Sequence, residues 1–377
     1  MLLESLKSYH FRNLVDAPVQ FSPGVNVIIG KNGQGKTSLL EAIHVLSLTK
    51  SFRTSLSKEL LAWGEKEGAL HAKVLSTNGE YEIGVSFQER SRTLYFNQQK
   101  VKTLSEYLGK LICVCFSPAD LSLLQGAPSE RRKFIDKHMV DLSPLFIENL
   151  VIHNRALQNK NKILKEGISD LSLLDPWNSL LIEQAVVIKR ERIHFISRLQ
   201  KKADEIHKKF CASDGDLTLE LSSNYGTGDT VGLETIRSEY EKMRSREAAY
   251  GGCILGPQRD DIEIFLDGRP AKAFASQGQT RSIVLSLTLA VIELIEEKYQ
   301  ESPLVLLDDV NSELDLGRSE AFFDLVLRQK RQIFITGTDA SVGHLANREA
   351  HNTLFVDAGR VCIFKDEQEF KGLEARA

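Results

Sequence analysis

Trp177, Leu181, Ala185, Ile188, Phe195, Leu199, Ala203, Ile206 and Phe210 recur at intervals of three, four or seven positions, the spacing of one helix face. Asp175 and Pro176 supply a capping residue and a first-turn proline, so the pattern predicts one long helix over 175–210. Ser129 to Asp141 and Pro144 to Lys165 also have helical spacing. The second of these puts Ile147, Leu150, Val151, Asn154, Leu157 and Leu164 on one face and stops at Gly167. Together they predict an antiparallel helical arm, too short for a long coiled coil.

The arm interrupts a different pattern. The first hundred residues read mostly as strands: Ser5 to Phe21, Val25–Ile29, Leu70–Ser76, Tyr81–Phe87 and Arg92–Phe96, with Asn78-Gly79 as a turn. Leu111–Ser117 is a further apolar strand, closed by Pro118. Beyond the arm, strands are expected at Leu217–Leu221, Cys253–Leu255, Ile262–Leu266, Leu304–Leu307 and Gln332–Thr336. Helices at Glu234–Ala249, Ser276–Glu297 and Ser319–Arg328 alternate with them, and a hairpin closes around Ala358-Gly359. The reading is an α/β head in two lobes, 1–120 and 213–377, with an inserted arm at 121–212.

A chain of 377 residues with 42% hydrophobic residues can build a large core. No apolar run approaching 18 residues and no leader pattern is visible, which points to a soluble, cytoplasmic protein. Five cysteines form no CxxC pair, arguing against zinc and a disulfide framework, and most read as buried apolar residues. Net charge is −3, yet residues 188–209 hold eight Lys and Arg against three acids. That excess reads either as a solvated helix face or as a DNA-backbone contact.

Chemistry concentrates at Gly30-Lys31-Asn32-Gly33-Gln34-Gly35-Lys36-Thr37, a complete GxxxxGK[ST] loop between a predicted strand and a predicted helix. Backbone N–H groups of such a turn surround phosphates, and glycines let the backbone approach. Lys36 is expected to reach the β- and γ-phosphates and Thr37 to hold Mg²⁺. Leu304–Leu307 ends in Asp308 and Asp309, the place for a second metal-site residue and for a carboxylate that polarises the attacking water. Asp308 stands 272 positions after Lys36, a separation typical of ATP-binding-cassette-like and chromosome-structural ATPases. That layout calls for a signature at the start of the preceding helix, and Ser276-Gln277-Gly278-Gln279 is there. A hydroxyl and a glycine backbone at a helix N-terminus form a second phosphate surface, which implies a second subunit. Asn311–Asp315 would face that partner. Thr336-Gly337-Thr338-Asp339 occupies the place of a transport cassette's switch His, leaving Thr336 or Thr338 for that contact.

These motifs, with Phe11-Arg12-Asn13, Leu40–Ile43, Ser51–Thr54, Phe116–Leu121, Gly126–Pro128, Arg131–Asp136 and Gly256–Asp261, run the length of the chain in an order that resembles the RecF family, relatives of the structural-maintenance-of-chromosomes proteins. The resemblance implies an ATP-binding-cassette-like P-loop head with a mixed sheet. It also implies an ATPase with Mg²⁺ that dimerises on ATP, binds duplex or gapped DNA, and acts with RecO and RecR to place RecA during repair, replication and the damage response. Gln258 replaces the family's usual His, Asn311 a common apolar residue and Gly337 a Thr. A transport cassette would show a Gly-rich signature, a catalytic Glu and a switch His; a chromosome-structural protein would carry a longer insertion; a small P-loop kinase would lack the signature helix. Arg53 could reach nucleotide or DNA. Arg259 with Asp260-Asp261 reads rather as a structural ion-pair cluster, Arg131 and Arg132 read as arm-to-head ion pairs, and Gln125 lies past Pro118, poorly placed for a Mg²⁺-sensing Gln.

Overall fold

The computed structural model describes residues 1–54, 56–89, 91–167, 170–210, 215–226, 232–309, 316–327, 331–337 and 351–364. The chain divides into two compact units, Met1–Leu121 with Thr288–Ala377, and Ser122–Leu287. Residues 213–287, expected in the head's C-terminal lobe, group instead with the helices of the second unit.

The first unit begins with β1 (Leu2–Tyr9), β2 (Pro18–Gln20), β3 (Val25–Ile29), α1 (Lys36–Leu48), β4 (Glu67–Ser76), β5 (Gly79–Gln88), β6 (Arg92–Phe96), β7 (Gln99–Lys100), α2 (Leu104–Tyr107) and β8 (Cys113–Phe116). Six of these strands form an antiparallel sheet in the order β2-β1-β4-β5-β6-β7. Its alternation is that of a half-buried sheet: Leu70, Ala72 and Val74 of β4 face the core while His71 and Lys73 face solvent.

The second unit carries α3 (Ser122–Gln125), α4 (Pro128–Leu142), α5 (Phe146–Lys165), α6 (Asp175–Phe210), β9 (Leu217–Ser222), α7 (Leu233–Tyr250), β10 (Asp261–Leu266), β11 (Arg269–Pro270), α8 (Ala271–Phe274) and the first part of α9 (Gln277–Tyr299). The stripe predicted for α6 is buried from Leu181 through Ile206. The α5 stripe is rotated from its prediction: Val151 is 53% exposed and Asn154 is exposed, while His153, Ala156 and Lys160 are buried. Periodicity of apolar residues misses this face because Lys160 enters the core with a partner, Glu247 of α7. Nor is Cys253–Leu255 a strand. Its N–H groups go to side chains, Cys253 to Asn161 Oδ1 at 2.7 Å and Ile254 to Glu247 Oε1 at 2.9 Å.

The chain closes the first unit with β12 (Leu304–Leu307), α10 (Leu316–Leu327), β13 (Ile333–Gly337), β14 (His351–Asp357) and β15 (Arg360–Phe364). A second six-stranded sheet has the order β15-β14-β3-β13-β12-β8, parallel except for the β14–β15 hairpin. Every residue of β3, β8, β12 and β13 is buried, which is why these mostly apolar strands show no alternation of apolar and polar positions. α9 is long and apolar enough to cross a membrane by composition, but most of it is buried within the protein.

Candidate nucleotide-binding site

The turn from β3 into α1 depends on glycine at two points. At Gly30 φ is +150°, and a Cβ would stand 2.3 Å from Val356 O of β14. Gly35, at φ +118°, caps α1, and no side chain hydrogen-bonds to the helix start there. A helix N-terminus capped this way presents unsatisfied N–H groups and a positive dipole end to an anion. Lys36 folds back across the loop and donates from Nζ to Gly30 O at 2.6 Å and Lys31 O at 3.1 Å. Lys31, Asn32 and Gly33 are exposed at the rim.

Two further segments brace the loop. Gln34 O accepts the Gly359 N–H at 2.9 Å, and Gln34 Oε1 accepts that of Ala358 at 2.6 Å, so the β14–β15 turn holds the loop's middle. Asn13 donates from Nδ2 to Gly33 O at 3.3 Å and accepts from the Ser38 hydroxyl at 2.8 Å. One turn into α1, the buried Glu41 carboxylate takes a two-pronged contact from Arg12, at 2.9 and 2.7 Å, plus Arg53 Nη1 at 3.3 Å and the Ser51 hydroxyl. Arg12, Asn13, Glu41, Ser51 and Arg53 lie in stretches that resemble the family, but the sequence alone suggested no roles for Arg12, Asn13, Glu41 or Ser51. Nothing in local spacing says that they meet.

The acid strand arrives two places away in the same sheet, since β13 lies between β3 and β12. Asp308 Oδ1 accepts the Thr37 hydroxyl at 3.1 Å and the Thr336 hydroxyl at 2.7 Å. Asp309 donates its N–H to Thr336 Oγ1 at 3.0 Å. Burial pushes the Asp308 carboxyl up; the two hydroxyls and the charge of Arg53 pull the other way, and Asp309 adds to the rise. A threonine hydroxyl and a carboxylate side by side are the hard oxygen donors that Mg²⁺ prefers, so these residues fit a magnesium nucleotide. Asn311–Asp315, Thr338 and Asp339 lie outside the described residues.

In the second unit, Ser276-Gln277-Gly278-Gln279 opens α9 with a feature the sequence reading overlooked. Ser276 Oγ accepts the Gln279 N–H at 3.2 Å while Gln279 Oε1 accepts the Ser276 N–H at 2.9 Å, a reciprocal capping box. The S-x-x-Q spacing was the available signal. The Ser276 hydroxyl acts here as acceptor, so its own proton can still be donated. Arg131 forms an ion pair as expected, gripping Asp261 at 2.7 and 2.9 Å, whereas Arg132 donates to a backbone carbonyl, Asp260 O, at 2.5 Å. Arg259 donates to Cys253 O at 3.4 Å. Gln125 ends α3 in this unit. Three of the basic residues at 188–209 are engaged by other groups of the protein. Arg192 is buried between Asp136 and Asp260, Lys189 donates to the carbonyls of Tyr225 and Gly226, and Lys208 pairs with Asp204 and Asp216. Cys113, Cys115 and Cys253 are buried, Cys362 is exposed, and Cys211 lies outside the described residues.

Residues 2–359 match the family model described as the RecF/RecN/SMC N terminal domain. The chain is 36% identical over 357 residues to a DNA replication and repair protein RecF from an Exiguobacterium species, covering 93% of this chain and 96% of that one. The RecF of Bacillus subtilis is 35% identical over 359 residues, at 93% and 97% coverage. Among solved structures, the recombination mediator protein RecF–ATP of the RecFOR pathway superposes with a TM-score of 0.87 at 30% identity, over 96% of this chain and 97% of that one. An Smc head bound to the C-terminal winged-helix domain of ScpA shares the fold, with a TM-score of 0.56 at 18% identity.

Proposed function

Because this chain belongs to the RecF family of ATP-binding-cassette-like ATPases, we propose that it is an ATP-switched DNA-binding protein of replication and repair. ATP brings two copies together, the dimer holds duplex or gapped DNA in the cytoplasm, and with RecR and RecO it assists RecA loading. The observation that carries the reading is the 3.1 Å contact between Thr37 and Asp308, which unites loop and acid strand across 271 positions.

The first N–H groups of α1 and the Lys36 ammonium bind the phosphates, Lys36 exchanging its loop carbonyls for phosphate oxygens. Thr37 and Asp308 hold Mg²⁺, which offsets phosphate charge when bound. Asp309 takes the proton of the attacking water. The partner subunit's Ser276, Gln277, Gly278 and Gln279 cover the γ-phosphate, with the Ser276 hydroxyl as donor.

DNA affinity measured at one fixed salt concentration, with and without ATP, tests this reading. Wild-type protein should bind duplex DNA only with ATP, and Lys36→Ala should not bind it at all. Asp309→Asn should bind and hold it, because closure precedes hydrolysis. Equal affinity with and without ATP would overturn the switch.

A further inference from the structure

Thr336, the fourth residue of β13, is 3% exposed, and its hydroxyl has two partners with opposite requirements. It donates to Asp308 Oδ1 at 2.7 Å and accepts the N–H of Asp309 at 3.0 Å. A hydroxyl carries one proton. With that proton on Asp308, Thr336 has none left for a γ-phosphate oxygen, so it does not replace the switch His of transport cassettes.

The second partner shows what it does instead. Asp309 has φ +51°, a left-handed conformation that residues other than glycine seldom adopt. It follows a fully buried strand, so its backbone must turn sharply where the catalytic carboxylate is presented. The Thr336 hydroxyl meets that turn at the Asp309 amide and, through the same oxygen atom, fixes one oxygen of the neighbouring carboxylate. Thr37 also donates to Asp308 Oδ1, so two hydroxyls, one from the first turn of α1 and one from β13, converge on one carboxylate oxygen.

We propose that Thr336 is the positioning residue of ATP hydrolysis in this chain: one hydroxyl locks Asp308 and Asp309 in fixed relation, without touching the nucleotide. The inference rests on the ATPase reading for its kinetic consequence, while its geometric content stands apart from turnover. Displacements of about an ångström in a reacting group cost on the order of 100-fold in rate. A residue that sets where the Asp309 carboxylate stands should therefore act on kcat and leave nucleotide affinity nearly alone.

Thr336→Val removes the hydroxyl and keeps the β-branched shape of a buried strand; Thr336→Ala repeats the deletion should valine misfold. Both should lower kcat by roughly 10- to 100-fold with KM for ATP changed less than about threefold, and Thr336→Ser should return kcat to near wild type. A second readout uses nucleotide-free protein. Hydrogen exchange in the peptide covering Leu304–Asp309, followed by mass spectrometry, should be faster in the valine and alanine variants and normal in the serine variant. Unchanged exchange, unchanged kcat, a loss carried by KM, or no rescue by serine would each overturn the proposal. Absence of turnover in wild-type protein would count against the ATPase reading instead, and the exchange comparison would still decide the positioning role.

Discussion

Lys160 Nζ lies 2.5 Å from Glu247 Oε2, with the two side chains 0% and 1% exposed. The carboxylate's other oxygen accepts the Ile254 N–H, so the pair also fixes the segment that carries Gly256–Asp261. Removing one member of such a pair leaves a buried charge and costs about 3–5 kcal/mol, whereas an apolar replacement of both is far better tolerated. Lys160→Met and Glu247→Leu should each lower the denaturant midpoint strongly, and the double variant should fall well short of the sum. Tryptophan fluorescence can follow this unit: half-buried Trp177 packs against its core, and the chain's other tryptophan, Trp63, is fully exposed.

His153 predicts an acid limb. Burial, then the charge of Arg192, push its imidazole down from 6.5 to about 4. An unfolded chain would take up that proton first as the pH falls. Stability present above about pH 6.5 is therefore lost between 6.5 and 4, by on the order of 3 kcal/mol. His153→Gln should remove that part of the pH dependence. A variant with the same slope as wild type would mean that other groups carry it.

Asp309 has a shorter reach than the Glu of transport cassettes, and the hydroxyl of Thr336 is bound to Asp308 rather than offered to the nucleotide. Turnover should accordingly be slow and should rise with DNA. Rates of hundreds per second without DNA would contradict the assignment.

The proposed composite site makes a complementation prediction. Lys36→Ala cannot hold phosphates, while Ser276→Arg binds ATP but blocks closure on the partner's nucleotide and deletes one half of the capping box. Their mixed dimer has one doubly damaged site and one intact site. Mixing the two inactive proteins should restore ATPase activity, more so at higher protein concentration because dimerisation is bimolecular. Mixed dimers that form and stay inactive would remove the main support for the head-to-tail arrangement.

Elements whose outcome has one local cause are legible in the sequence. The runs at 25–29 and 304–307 are strands to the residue, because a parallel strand buried on both faces is dominated by apolar positions without alternation; the polar exception, Asn26, is satisfied by Ser22. The α6 stripe is legible because a single helical period sets it. The α5 face was misread because His153 and Lys160 are buried by partners from outside that helix, and Cys253–Leu255 because side chains rather than a ladder satisfy its backbone.

The same division runs through the site. The proposed phosphate loop at 30–37 is defined by glycines, Lys36 and Thr37 within eight consecutive positions, so the sequence by itself was enough to mark it. The pairing of Thr37 with Asp308, the clasp of Gln34 by Ala358 and Gly359, and the two-way hydroxyl of Thr336 join positions tens to hundreds of residues apart. Sheet order decides them, because β13 lies between β3 and β12 and β14 lies against β3. Order in a parallel sheet comes from how crossovers pack, and only the tertiary structure holds that information.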